Sequence, residues 1–134
     1  MTVIVKTHSP RPGRSAGTMI VEERTWKGTV PVIGEPVFVW TSETQGGDGL
    51  SVRGEIAHVH RMQSGVTRLT FRPDGRWVMR PLRTADLAPY RSARDGSPIA
   101  MLAEKLYYHA HNKIAALSAE EEQFLNRRFG WERP

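Results

Sequence analysis

A large aromatic ring followed by short polar side chains is the most suggestive chemical feature of this 134-residue sequence. Trp40 closes an apolar, β-forming run, and four short polar residues follow it directly: Thr41, Ser42, Glu43 and Thr44. A flat ring can stack on a nucleobase while hydroxyl and carboxylate groups bond to the edge of that base. This order of residues therefore predicts a base-binding pocket at the end of a strand, with Trp40 as a wall.

Three further aromatic residues are candidates for additional walls of this pocket: Trp26, Tyr107 and Tyr108. The two tyrosines are adjacent on a predicted helix, so at most one of them faces the core squarely, and the other is free to contact a ligand. We interpret Trp77 and Trp131 as packing residues. The alternative interpretation is that all of these rings belong to the core and rim of a small fold.

The positive charge is concentrated in one segment. The chain has 19 Lys and Arg against 14 Asp and Glu, and the whole excess of +5 lies in residues 61–96. All eight basic residues there are arginines, whose planar fork binds phosphate and stacks on bases. Four of them are predicted to lie on one face of a β-hairpin that turns at 73–75 and to contact a nucleic-acid backbone: Arg68, Arg72, Arg76 and Arg80. A solvated strand face is the alternative, since 15 of the 19 basic residues are arginine throughout the chain.

Metal-binding patterns are sparse. The absence of cysteine excludes disulfides, thiolate metal sites and a cysteine nucleophile. His58 and His60 share one face of a predicted strand, and His109 and His111 follow a predicted helix. No carboxylate stands beside either pair at the spacing of a metal site. We therefore predict no metal and no cofactor.

Catalytic motifs are equally rare, because no phosphate-binding loop, zinc-protease helix or serine-hydrolase elbow occurs. Folding could bring together one base–nucleophile set, which consists of Lys6 and Thr7 at the end of the first strand and Glu43 after the main strand. Nothing in their spacing requires these three side chains to meet. We predict a binding protein rather than an enzyme.

Short runs of β-forming residues separated by turns dominate the first two thirds of the chain. They predict about six strands, the strongest at 37–41 and the longest at 50–62. The last third changes to helical spacing, with a helix that starts at Ser97-Pro98 and whose apolar stripe runs to Leu117. A second helix starts at the capping box formed by Ser118 and Glu121 and ends at Gly130. We predict one α+β domain over residues 1–134, a small mixed β-barrel with two C-terminal helices.

The main strand and the strand after it carry a family resemblance. The stretches GEPVFVWT at 34–41, GL at 49–50 and VRGEI at 52–56 resemble the central part of EVE-type domains of the PUA-like superfamily. The resemblance implies a pseudo-barrel whose pocket binds a flipped, often modified, nucleobase of DNA or RNA. It also implies a set of pocket residues, with Trp40 as a wall, Thr41 and Ser42 at the mouth, Arg53 as a polar or phosphate contact, and Lys6 and Thr7 at the border.

Two other functions stay open at this point. A small hydrolase on the same fold, similar to ASCH-type domains that act on modified nucleosides, would use Lys6, Thr7 and Glu43. A protein-interaction domain would use the two C-terminal helices as its docking face. The sequence has no apolar run long enough to span a membrane and no signal peptide, so we expect a cytoplasmic protein. The oligomeric state is left open.

Overall fold

The computed structural model describes residues 1–93 and 95–131. The strands in this part of the chain are β1 (Val3–Thr7), β2 (Arg11–Pro12), β3 (Met19–Glu23), β4 (Pro36–Thr41), β5 (Gly49–Arg61), β6 (Thr67–Pro73), β7 (Arg76–Val78), β8 (Lys113–Ala116) and β9 (Phe129–Trp131). The α-helices are α1 (Thr84–Leu87), α2 (Pro98–Ala103) and α3 (Ala119–Asn126). Short 3-10 turns lie at Glu43–Gln45 and Ala88–Tyr90, and a π-helical turn at Glu104–Tyr108 continues α2. The predicted α+β class is confirmed.

Seven strands form one sheet in the order β2-β3-β6-β5-β4-β1-β8, while β7 and β9 form a separate two-stranded sheet. Within the large sheet, β1 and β4 run parallel, with Thr7 opposite Thr41 at their ends. The other strand pairs are antiparallel. Because β1 and β4 are parallel, their carboxyl ends open onto the same edge of the sheet, where polar residues following each strand can meet.

Both faces of the central strands are buried, as the continuous apolar run of β4 predicts. One face carries Val3, Val5, Val37 and Val39, which belong to the inner core. The other face carries Ile4, Phe38 and Trp40, and the helices cover it with the buried side chains of Leu102, Leu106 and Leu125. The apolar faces of the helices are therefore buried against the sheet, which argues against the predicted use of these helices as a docking face. No helix in the described residues is long and apolar enough to cross a membrane.

The sheet does not close into the predicted barrel. Within the described residues, its last strand, β8, meets the chain beyond β3 through one bridge between Thr25 and Ile114. In this bridge Trp26 N donates to Ile114 O, and Ile114 N donates to Arg24 O. The ladder cannot continue, because the chain turns away at Lys27 and Gly28, whose φ angles are +51° and +71°. One bridge brings the two ends of the sheet together without completing a strand pair.

The predicted hairpin of arginines does not form either. β6 pairs with β3 on one side and with β5 on the other, so neither of its edges is free for β7. Arg68 and Arg72 lie on what we call the outer face of β6, opposite the buried Leu69 and Phe71. Arg76 and Arg80 belong instead to β7 and the segment after it, so the four arginines are divided between two places.

The last third also departs from its helical prediction. α2 starts at Ser97 and Pro98 as expected, with Ser97 Oγ accepting a hydrogen bond from Ala100 N. The stripe then ends, and Ile114 belongs to β8, where it pairs with Val5. Apolar residues at this spacing satisfy a strand as well as a helix, and pairing with β1 decides between them.

The capping box of Ser118 and Glu121 is confirmed at the start of α3. Gly130, predicted as the end of that helix, lies in β9 beneath Trp77 and Met79. A Cβ at Gly130 would lie 2.6 Å from Met79 Sδ, so a larger residue there would have to displace that exposed side chain.

Candidate functional site at the ends of the parallel strands

A cavity of about 110 Å³ opens at the carboxyl ends of β1 and β4. We call it the strand-end pocket. The turn after β4, the start of α1 and the π-helical turn enclose it together with β1. Its lining residues are Lys6, Ser42, Glu43, Thr44, Thr84, Leu106, Tyr107 and Ala110.

Hydroxyl and carboxylate groups form one wall of the strand-end pocket. Ser42 is buried, its backbone N–H donates to Thr7 O at 2.8 Å, and its hydroxyl lies 3.1 Å from that of Thr44. Glu43 Oε1 accepts a hydrogen bond from Thr84 N, which joins the turn after β4 to the start of α1. The wall therefore presents fixed polar groups that can donate to or accept from the edge of a ligand.

Two buried lysines support the opposite side. Lys6 and Lys113 are partners in the β1–β8 ladder. Lys6 Nζ donates to the carbonyl oxygens of Leu106, at 2.9 Å, and Ala110. Lys113 Nζ donates to those of His109 and His111, the latter at 2.9 Å. The two ammonium groups thus hold the chain from 106 to 111 in place beside the pocket.

Burial sets the titration of these groups. Burial lowers the pKa of Lys6, and the carboxylate of Glu43 opposes that shift. Burial, together with the charge of Lys6, lowers the pKa of Lys113 to about 8. The pKa of His111 is also lowered, first by burial and then by the charge of Lys113. Burial is thus the first cause of all three pKa shifts, and neighbouring positive charge adds to it at Lys113 and His111.

A row of aromatic rings lies beside the strand-end pocket, and we call Trp26, His109 and Tyr108 the aromatic ridge. The ring centroids of Trp26 and His109 are 5.4 Å apart, and Tyr108 meets His109 edge-on at 4.8 Å. Lys27 Nζ lies 4.4 Å from the centre of the Trp26 ring. The Arg91 guanidinium lies 5.5 Å from the ring of Tyr107, which lines the pocket, and 5.9 Å from that of Tyr108.

The structure brings some of the predicted pocket residues together and moves others away. Lys6 and Ser42 line the strand-end pocket, and Tyr107 provides the wall that the sequence assigned to one of two tyrosines. Trp26 is half-buried on the aromatic ridge. Trp40, however, is only 1% exposed and packs in the core beneath the helices, so it has no free face for a base. The reason is that its ring points to the side of the sheet that the helices cover.

Thr41 and Thr7 have structural partners. Thr41 Oγ1 accepts a hydrogen bond from Asp48 N at 2.9 Å and so holds the loop after β4. Thr7 points to the opposite face of β1 from Lys6, where its hydroxyl donates to Glu23 Oε2 at 2.7 Å. Burial raises the pKa of that carboxyl, and the bond from Thr7 opposes the shift. The set of Lys6, Thr7 and Glu43 is therefore not assembled, because neighbouring residues of a strand face opposite ways.

Arg53 also lies in a structural contact rather than in the strand-end pocket. Its Nε donates to Asn126 Oδ1 at 2.8 Å, and its guanidinium forms an ion pair with Asp74. The same guanidinium lies 5.7 Å from the centre of the Phe38 ring. Arg53 therefore joins β5 to α3 and to the turn before β7.

Three residues that line the pocket were not predicted from the sequence: Thr84, Leu106 and Ala110. Thr84 lies far along the chain and reaches the pocket through its backbone bond to Glu43. Leu106 belongs to the apolar stripe and carried no polar signal. The described residues hold no group of three or more histidines and carboxylates that could bind a metal ion.

Comparisons with known proteins match this chain through its fold. No family model matches the sequence, and no curated protein matches it. The crystal structure of human THYN1 in complex with DNA containing 5-methylcytosine superposes with a TM-score of 0.63 at 15% identity, covering 99% of both chains. The DUF55 domain of human thymocyte nuclear protein 1 gives a TM-score of 0.59 at 15% identity, covering 96% of this chain and 98% of that one. This chain therefore shares the overall fold of the human THYN1 protein over nearly its whole length.

Proposed function

We propose that this chain is a nucleic-acid-binding module that holds one unstacked base in the strand-end pocket. The observation that carries the proposal is the pocket itself, where a polar wall faces Leu106 and the ring of Tyr107. A flipped base needs this combination, since its faces are flat and apolar while its edge carries donors and acceptors. The human THYN1 protein of the same fold was crystallised with DNA containing 5-methylcytosine, which agrees with a base as the ligand.

The charges inside the pocket favour a base with an exocyclic amino group. Glu43 can accept from such a group, and the ammonium of Lys6 or the hydroxyl of Ser42 can donate to the ring nitrogen or carbonyl beside it. Cytosine and its 5-methyl derivative present an amino group next to a ring acceptor, whereas thymine presents a carbonyl there. We therefore propose cytosine-type bases, methylated or not, as the ligand of the pocket.

The aromatic ridge supplies a place for the neighbouring nucleotides. Tyr108 is half-exposed, at 50%, and a base beside the flipped one can stack on its ring. Lys27 and Arg91 lie over rings of the ridge and the pocket, where their charges can meet phosphates. We propose these two cations, rather than Arg68 and Arg72, as the backbone contacts next to the pocket.

Filling the mouth of the pocket tests the proposal. Thr44 lines the pocket but is exposed, so Thr44→Trp places a ring in the cavity without disturbing the core. Gln45→Trp is the matched control, because Gln45 is exposed in the same turn and does not line the cavity. Binding would be measured by fluorescence anisotropy with labelled oligonucleotides that carry 5-methylcytosine, cytosine or thymine at one unpaired position.

We expect wild type and Gln45→Trp to bind the cytosine oligonucleotides about tenfold or more tightly than the thymine one, which corresponds to roughly 1–3 kcal/mol per correct base edge. Thr44→Trp should lose this preference and bind all three weakly. Undiminished, base-selective binding by Thr44→Trp would contradict the pocket as the site.

A further inference from the structure

A second cavity, of about 390 Å³, lies between the start of β5 and β7. We call it the β7 groove. Its lining residues are Asp48, Leu50, Ser51, Arg76, Trp77, Val78, Pro81 and Arg83. Trp77 is 46% exposed although it lines the groove, and the nearby Met79 and Trp131 are 53% and 60% exposed. The groove thus presents an indole ring to solvent instead of hiding it in the core.

Arginines surround this exposed indole. Arg76 and Arg83 line the groove, and Arg80 is exposed in the segment that follows β7. The Arg76 guanidinium lies 4.2 Å from the centre of the Trp131 ring. Asp48 lies 3.5 Å from Arg83, and Asp74, which also pairs with Arg53, lies 3.9 Å from Arg76, so the charges of two of the three arginines are partly offset. The groove therefore combines a stacking surface with a net positive charge.

The groove and the strand-end pocket share one short segment of chain, residues 82–84. Leu82 O accepts from Leu50 N at 3.0 Å beside the groove, and Thr84 N donates to Glu43 in the pocket wall. Arg83, between them, lines the groove, while Thr84 lines the pocket. Gly49 allows this close approach, since a Cβ there would lie 2.5 Å from Leu82 O. Neighbouring residues of one segment therefore line the groove and the pocket.

We infer that the β7 groove binds the unpaired strand that continues from the base in the pocket, with one base stacked on Trp77 and phosphates on Arg83 and Arg80. The inference rests on the proposed function for the origin of the strand. An anionic polymer with flat bases matches a positive groove that contains an exposed indole, since a base can stack on the ring while its phosphate binds an arginine. An apolar protein segment would leave the guanidinium groups without partners.

Oligonucleotide length separates the two sites. We would compare a trinucleotide and a decanucleotide, both with a central 5-methylcytosine, by fluorescence anisotropy. Trp77→Ala should weaken decanucleotide binding about tenfold and leave trinucleotide binding unchanged, because only the longer strand reaches the groove. Met79→Ala is the matched control, since Met79 is as exposed as Trp77 and also contacts Gly130 but has no ring to stack on a base.

A second variant guards against a folding defect in Trp77→Ala. Arg83→Gln removes an exposed charge and should lower the slope of log affinity against log salt by about 0.7 for the decanucleotide, as expected for one phosphate contact on a single strand. Unchanged decanucleotide binding in both variants would overturn the inference. A dimer of the wild type that Trp77→Ala dissociates would also overturn it, because the groove would then be a protein interface.

The Thr44→Trp variant keeps this inference distinct from the proposed function. Loss of binding for both oligonucleotides in Thr44→Trp, with loss only for the decanucleotide in Trp77→Ala, supports both sites. If Thr44→Trp binds normally while Trp77→Ala still weakens the decanucleotide, the pocket is not the base site and the groove binds a strand by itself.

Discussion

Positively charged residues surround the strand-end pocket and also a cavity of about 320 Å³ on the outer face of β6. The second cavity is lined by Arg14, Ser15, Ile20, His58, Arg68 and Thr70. His58 is the one ring among these six side chains, and the set has no Trp, Tyr or Phe. Arg68 lies 3.6 Å from Glu22, with which Arg11 also forms an ion pair. The carboxylate of Glu22 is thus shared by two arginines of the outer face and offsets part of their charge.

The cations beside the strand-end pocket have different partners. Lys27 and Arg91 lie over aromatic rings, and Lys6 and Lys113 are buried against carbonyl oxygens. Cations over rings keep their charge available to a phosphate, whereas a cross-strand carboxylate neutralises it. Under the proposed function, the binding site is where cations lie over rings at the strand end, and not where arginines are most numerous on the outer face.

Removing two charges from each region gives the largest expected effect. Lys27→Gln with Arg91→Gln should weaken oligonucleotide binding about tenfold or more and lower the salt slope by about 1.4, because two phosphate contacts to a single strand are lost. Arg68→Gln with Arg72→Gln changes the net charge equally and should leave both quantities almost unchanged. Equal losses in the two double variants would break the comparison and restore the predicted role of Arg68 and Arg72.

The pH dependence of stability sharpens the same contrast. The pKa of Lys113 falls from its ordinary value of 10.5 to about 8 on folding, so between pH 8 and 10.5 the unfolded chain binds more protons than the folded one. Stability from this group therefore rises with pH in that window. The melting temperature of wild type minus that of Lys113→Met should therefore be higher at pH 9.5 than at pH 7, because only the wild type gains stability from this group.

Arg68→Met is the control for that measurement, since it removes a positive charge on the outer face, away from the buried lysines. Its melting temperature should differ from that of wild type by the same amount at both pH values. A Lys113→Met difference that stays constant, or shrinks, as the pH rises would show that Lys113 is not a buried cation of lowered pKa.

The smallest effect concerns the ion pair of the outer face. Because Arg68 and Glu22 are partly exposed, a double-mutant cycle with alanine at each position should give a coupling free energy of about 1 kcal/mol or less. Chemical denaturation of the four proteins measures it. A coupling of several kcal/mol would mean that this pair is a structural element of the sheet rather than a surface charge pair.

Much of the fold could be read from local patterns. The apolar run at 37–41 and the β-branched residues of β1 predict buried strands, and the capping box of Ser118 and Glu121 predicts the start of α3. Each of these signals depends on near neighbours in the chain. The prediction of helix at Ile114 was wrong, because this residue pairs in the sheet with Val5, which lies more than a hundred residues earlier in the chain.

Pocket residues divide in the same way. Ser42 and Glu43 of the polar run after Trp40 line the cavity, since residues that follow a strand stay at its end. The aromatic ring beside them is that of Tyr107 and not the predicted Trp40, because the helices cover Trp40 and leave Tyr107 beside the cavity. Which ring faces the cavity depends on what packs over the sheet, and the residue pattern of one β-strand contains no information about that.

The sequence by itself determined the alternation of buried and polar positions, the α+β class and the polar residues that follow β4. Only the tertiary structure decided that the arginines of 61–96 separate, with Arg68 and Arg72 on the outer face of β6 and Arg76, Arg83 and Arg91 toward the pocket and groove. The physical reason is strand pairing. A strand has two edges, and once β3 and β5 occupy both edges of β6, the next strand and its charges must go elsewhere.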